Sequence, residues 1–171
     1  MAMLGQYTSF PENPHRLAYF AASISVKRLQ QALMETFHKL NEETFRLEDV
    51  APPSIPRCKL VFEFGVAEGN DFSYVDAEEK DRVLKALSRR LFQVLDFLCA
   101  IRYYKIEEAK LAPLRFDYYL LRFAFDNDSV QLRVFHERGP VHVSPEDLSE
   151  FIVDRINASF PKKVLKHSEG S

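Results

Sequence analysis

The residues best suited to chemistry lie together near the end of a predicted strand, where His136-Glu137-Arg138 precedes Gly139 and His142 follows. An imidazole can act as a base and a guanidinium can bind an anion. Neighbouring side chains on a strand point to opposite faces, so His136 and Glu137 share a pocket only where a bulge interrupts the strand. We predict His136, Arg138 and His142 as the residues of a small-ligand site and assign no catalytic residue.

The two histidines on either side of Gly139-Pro140 also raise the question of a metal site. A turn at this point could bring His136 and His142 to one ion, but five intervening residues are not a typical spacing of zinc ligands. The sequence has no nucleophile elbow, metal-binding helix, phosphate loop or dinucleotide fingerprint. We therefore expect no metal and no cofactor.

A nucleic-acid surface is the third possibility, because basic and aromatic residues alternate within 114–125. The pI near 6.2 and the formal net charge of −2 argue against a strong attraction to a polyanion. The segment also has apolar residues on both faces, which is typical of a strand covered from both sides. The residues concerned are Arg115, Tyr118, Tyr119, Arg122 and Phe123.

Hydrophobic periodicity predicts the elements that position these residues. Alternating apolar residues predict strands, and apolar residues three and four apart, preceded by Ser or Asp caps, predict helices. The predicted strands are 17–24, 44–50, 57–66, 114–125 and 130–135. The predicted helices are 25–40, 76–103 and 144–160.

The second helix is predicted to be the longest, because six apolar residues recur at alternating spacings of three and four. They are Leu84, Leu87, Leu91, Val94, Leu98 and Ile101. Such a seam offers more apolar surface than one small sheet must cover, so part of it is expected to pack against a second copy of the chain. The predicted interface residues are Leu84, Leu87, Leu91 and Val94.

The order β-α-β-β-α-β-β-α predicts an α+β fold, a single-domain sandwich with a mainly antiparallel sheet, a long central helix and two further helices. The length of 171 residues is near that of one domain. We predict an irregular N-terminal arm over 1–15, the domain over 16–160, and a basic flexible tail over 161–171. Cys58 and Cys99 lie in unrelated contexts and are predicted to be reduced, packed thiols.

The function predicted from these features is a non-catalytic interaction module, an adaptor or chaperone-like homodimer. The predicted element order is similar to that of small α+β adaptors such as type III secretion chaperones, a similarity of topology that includes no motif. The first residues lack the pattern of a secretory signal and no apolar run is long enough to cross a bilayer. We therefore expect a cytoplasmic protein with a protein partner and no membrane contact. The alternative is an enzyme or small-ligand-binding protein with an aromatic-lined pocket.

Overall fold

A computed structural model describes residues 3–168, which form three helices and one antiparallel sheet of ten strands. The α+β class with a mainly antiparallel sheet is therefore confirmed. The helices are α1 (Val26–Leu40), α2 (Ala77–Leu87) and α3 (Pro145–Ala158). The strands are β1 (Met3–Gln6), β2 (Arg16–Ala22), β3 (Thr44–Arg46), β4 (Cys58–Glu68), β5 (Asp71–Tyr74), β6 (Val94–Glu107), β7 (Lys110–Pro113), β8 (Asp117–Phe125), β9 (Ser129–Arg138) and β10 (Leu165–His167).

The strand order across the sheet is β1-β5-β4-β6-β8-β9-β2-β10. The short strands β3 and β7 lie off this path and pair with β4 and β6, respectively. The segment predicted as a strand over 44–50 is β3 followed by a single 3₁₀ turn, Leu47–Asp49. The predicted hairpin of two strands across Asp126–Asp128 is formed by β8 and β9.

Helices α1 and α3 form where the capping residues and apolar stripes predict them. Ser25 accepts a hydrogen bond from the backbone N–H of Arg28 at 3.2 Å, and Ser144 accepts one from that of Asp147 at 3.0 Å. Each helix packs its buried apolar residues on the same face of the sheet. These residues are Leu29, Leu33, Phe37 and Leu40 of α1, and Leu148, Ile152 and Ile156 of α3.

Phenylalanine rings fill the layer between the helices and the sheet. The ring of Phe37 stacks on Phe64 of β4 with centroids 4.1 Å apart, and meets the edge of Phe97 of β6 at 4.7 Å. Aromatic pairs in these geometries add stability beyond the area they bury. A phenylalanine-based core, as the composition indicates, thus holds the helices on one face.

The prediction of one long helix over 76–103 is wrong beyond Leu87, where α2 ends and an exposed break at residues 88–90 leads to the strand β6. Residues 95–101 also alternate with a period of two, so that Leu95, Phe97, Cys99 and Ile101 all lie in the core. These residues form a strand rather than a helix because β4 and β8 then hydrogen-bond the backbone of β6 from both sides. The seam expected to pack against a second copy is therefore not formed.

The sheet includes two segments that lie outside the predicted domain of 16–160. Strand β1, from the predicted arm, pairs with β5 at one edge of the sheet, and β10, from the predicted tail, pairs with β2 at the other. Within residues 3–168, none of the helices combines the length and the apolar character that a membrane crossing needs.

Candidate binding face

The sheet has one face under the three helices and one face without helices, which we call the open face. Because side chains alternate along a strand, residues at paired positions of neighbouring strands share a face. One row on the open face consists of Glu63, Ala100, Tyr118 and Arg138, on β4, β6, β8 and β9. The open face is therefore lined by both charged and aromatic side chains.

The chain before β2 crosses the middle of the open face. Tyr7 donates a hydrogen bond from its hydroxyl to Asp96, and Arg122 pairs with both oxygens of that carboxylate at 2.8 Å. The guanidinium of Arg122 also lies 5.0 Å from the ring centroid of Phe10. Phe10 joins Leu98 and other apolar residues in a second, smaller core. This strap, residues 7–10, follows β1 and packs on the middle of the open face.

One end of the open face, which we call the cationic end, combines arginine and lysine side chains with aromatic rings. Its cations outnumber its single carboxylate, Glu63, which pairs with Arg102 at 3.2 Å. Arg115 and Arg138 are exposed, and their side chains form no ion pair or hydrogen bond with a residue that the structure describes. The residues of the cationic end are Lys59, Glu63, Arg102, Tyr104, Arg115, Phe116, Tyr118 and Arg138.

The aromatic rings of the cationic end hold the guanidinium groups in place. Arg138 lies over the ring of Tyr118, 4.1 Å from its centroid, and Arg102 lies 5.4 Å from the centroid of Phe116. The rings of Phe116 and Tyr118 stack at 5.9 Å. A guanidinium that lies over a ring keeps its N–H donors at the edge, free to bind an anion. This end of the face is thus arranged to accept negative charge.

A bulge in β9 separates two of the three predicted ligand residues. Tyr119 is opposite His136 whereas Tyr118 is opposite Arg138, so β9 has one extra residue at Glu137. The extra residue reverses the alternation of side chains. His136 therefore faces the helix-covered side of the sheet and Arg138 faces the open side, so the predicted site of His136, Arg138 and His142 is not assembled as one pocket.

His136 and His142 instead meet at the buried carboxylate of Asp117, which no solvent reaches. Its oxygens accept hydrogen bonds from the ring of His136 at 2.9 Å and from the hydroxyl of Tyr103 at 2.6 Å. They also accept bonds from the backbone N–H groups of Val141, at 2.7 Å, and His142, at 2.9 Å. Four donors thus satisfy this charge, as a buried carboxylate requires.

Tyr103 acts only as a donor at this carboxylate. Burial of the phenol, together with the hydrogen bond to Asp117 and its negative charge, raises the pKa of Tyr103 far above the ordinary value of 10. Burial also raises the pKa of Tyr119, whose hydroxyl donates to the carbonyl of Val143. Both phenols therefore stay protonated and hold the loop after β9 on the sheet.

The loop from Gly139 to Val143 follows the shape that Asp117 imposes. Gly139 has φ +117°, and a Cβ at this position would collide with the carbonyl oxygen of Phe116. Val141 has φ +61°, an uncommon backbone conformation for a β-branched residue. Its N–H bond to Asp117 stabilises this conformation. The sequence signal for Asp117 is a single acidic residue within an otherwise apolar strand. The motifs considered above do not include it, so Asp117 was not predicted as a site residue.

The remaining predicted residues have separate places in the structure. On the predicted nucleic-acid segment, Tyr119 and Phe123 are buried in the helix-covered core, while Tyr118 and Arg122 lie on the open face. Of the predicted interface residues, Leu87 is buried and unavailable to a partner, and Leu84 packs against the core. Leu91 and Val94 are 44% and 40% exposed, so self-association through these two stays a prediction.

Metal ligands and free thiols are the remaining candidates for chemistry. Within the part of the chain that the structure describes, no group of three or more His, Cys, Asp or Glu side chains is placed to hold a metal ion. Cys58 and Cys99 are both buried and unpaired within residues 3–168, and burial raises the pKa of each thiol.

In comparisons with known proteins, no family model, curated protein or solved structure matches the chain.

Proposed function

We propose that this protein is a non-catalytic interaction module that binds an acidic segment of a partner protein on the cationic end of the open face. The observation that carries the proposal is the excess of cationic side chains there, two of which lie over aromatic rings on the face of the sheet that the helices do not cover. Lys59, Arg102, Arg115 and Arg138 stand against one carboxylate, Glu63. Complementary charge gives such a surface its specificity and its association rate.

An acidic protein segment suits this face better than a nucleic-acid strand. Single-stranded nucleic acids bind to sheets by stacking bases on bare aromatic rings. Here Arg138 lies over Tyr118 and Arg102 lies over Phe116, so the ring faces that a base would need are already in use. The guanidinium edges remain available, and carboxylates pair with them in a bidentate manner.

The case for a non-catalytic role depends on Asp117. A catalytic carboxylate has to reach its substrate or orient a base that does. Asp117 is fully buried, and Tyr103, His136 and two backbone N–H groups occupy its oxygens. Its geometry supports a structural role in holding the loop after β9, and so it weakens the alternative of an enzyme at His136 and His142.

The test is a fluorescence anisotropy titration with a short labelled peptide that alternates Glu with Leu. We expect Arg138→Glu to weaken binding by about tenfold or more, because a hydrogen bond to a charged group contributes roughly 1.5–3 kcal/mol. Arg90→Glu makes the same change in net charge at an exposed residue of the break between α2 and β6, and is expected to leave binding nearly unchanged.

Two results would contradict the proposal. One is equal binding of a control peptide in which Gln replaces every Glu, since the interaction would then not depend on negative charge. The other is tighter binding of a single-stranded oligouridine than of the acidic peptide, which would assign the cationic end to nucleic acid instead.

A further inference from the structure

A cavity of about 300 Å³ opens at the cationic end, between the start of β8 and the end of β9. Arg115, Phe116, Tyr118, Arg138 and Gly139 line it. Its volume is at the small end of the range for ligand sites, so it suits one side chain of a partner better than a large free ligand. Arg115 and Arg138 therefore both border a space of side-chain size.

We infer that this cavity receives a phosphorylated side chain of the partner segment, an inference that rests on the proposed function. A phosphomonoester has a charge of about −1.5 to −2 near neutral pH and three strong acceptor oxygens. A carboxylate has only two oxygens, which one arginine fork can fully engage. The two forks of Arg115 and Arg138 match the three oxygens and the double charge of a phosphate better than those of a carboxylate.

Both arginines are available for this role. Arg102, which lies over the ring of Phe116, pairs with Glu63 at 3.2 Å, whereas Arg115 and Arg138 pair with no acid in residues 3–168. Exposed guanidinium groups without a carboxylate partner keep their donors for a ligand. The charge at the cavity is therefore left for the partner to neutralise.

The buried Asp117 contributes to the position of Arg138. The bulge at Glu137 turns Arg138 to the open face, and the ring of Tyr118 holds its guanidinium 4.1 Å away. Immediately after Arg138, the loop is tied to Asp117 through the N–H groups of Val141 and His142. A fixed backbone and a supported side chain reduce the entropy that is lost when an anion binds.

The test compares three versions of the acidic peptide, with a central phosphoserine, glutamate or serine. We expect the phosphoserine peptide to bind about tenfold more tightly than either of the others, and the double variant Arg115→Gln/Arg138→Gln to remove that advantage. Arg89→Gln/Arg90→Gln is the matched control, because both of its residues are exposed and lie away from the cavity. Thermal unfolding of all variants checks that the fold is intact.

The possible outcomes separate this inference from the proposed function. If the three peptides bind equally and Arg138→Glu still weakens them, the phosphate site is wrong and the interaction module stands. If none of the peptides binds, both are wrong. If uridine monophosphate binds more tightly than the phosphoserine peptide, the cavity is a nucleotide site and the inference of a protein partner there is overturned.

Discussion

Asp117 is the residue on which the loop between β9 and α3 depends. Its carboxylate joins β8 to Tyr103 of β6, to His136 of β9, and to two backbone groups of the loop. An unpaired donor in this position would lose its hydrogen bond to water without gaining another. The same bonds keep Arg138, which follows the bulge, on the open side of the sheet.

We predict that Asp117→Asn lowers the free energy of unfolding by about 3 kcal/mol, since an amide has one acceptor oxygen and adds donors opposite Tyr103 and the backbone N–H groups. Urea denaturation followed by circular dichroism measures the change. Asp128→Asn, at an exposed turn residue, is the matched control and should alter stability little. Equal midpoints for the two variants would show that the carboxylate does not stabilise the fold.

Among the elements, the strap and the strand β6 have the largest effect on the open face. The strap buries Phe10 against Leu98 and Leu120, and the hydroxyl of Tyr7 in the strap donates a hydrogen bond to Asp96 on β6. Since β6 is a strand, alternate residues face the strap and the helices. A helix in its place would have presented the same residues in all directions and would have left no open face.

We predict that Tyr7→Phe lowers the free energy of unfolding by about 1 kcal/mol, because the Asp96 carboxylate loses one donor while its two bonds to Arg122 remain. Urea denaturation again measures the loss. Tyr104→Phe is the control, since the hydroxyl of Tyr104 makes no hydrogen bond to a residue in 3–168. An equal effect of both substitutions would argue that the strap is not tied to β6 by this bond.

At the scale of the whole molecule, one wide sheet separates two unequal apolar layers. The larger layer contains the helices and buried phenols such as Tyr103 and Tyr119, and the smaller one lies under the strap. Both termini of the described chain add edge strands, β1 and β10, so the sheet extends beyond the region predicted as the domain. Contacts across the sheet therefore link residues far apart in the sequence.

We predict that the protein unfolds cooperatively in alkaline solution. Burial raises the pKa of Tyr103 and Tyr119 above 10, so the unfolded chain loses these protons at a lower pH than the native one. Stability from these groups is complete below pH 10 and falls as the pH rises further, because the unfolded state binds fewer protons. Phenolate absorbance and circular dichroism, recorded together, measure it.

In that titration, part of the phenolate signal should appear at the same pH as the loss of helical dichroism. Tyr103→Phe removes one of the late-ionising groups and should reduce the amplitude of this coincident step. If all of the phenolate signal appears before any loss of structure, the phenols are not protected by the core and the prediction is wrong.

The sequence determines the elements whose signals are local. Ser25 and Ser144 begin their helices through bonds to residues three positions on, and the stripes of α1 and α3 follow from the helical period. The alternation of β4 and the turn at Asp126–Asp128 likewise predict strands without knowledge of their neighbours. These features, and with them the α+β class, depend on interactions within a few residues.

Tertiary structure alone decides the rest. Residues 95–101 fit both a helical seam and an alternating strand, and only hydrogen bonds from β4 and β8 select the strand. The bulge at Glu137 separates His136 from Arg138, and the partner strand β8 defines it. Asp117 gains its four donors from β6, β9 and the following loop. A backbone or a carboxylate that is buried among segments distant in sequence has to form its hydrogen bonds with those segments. Local periodicity does not show which segments they are.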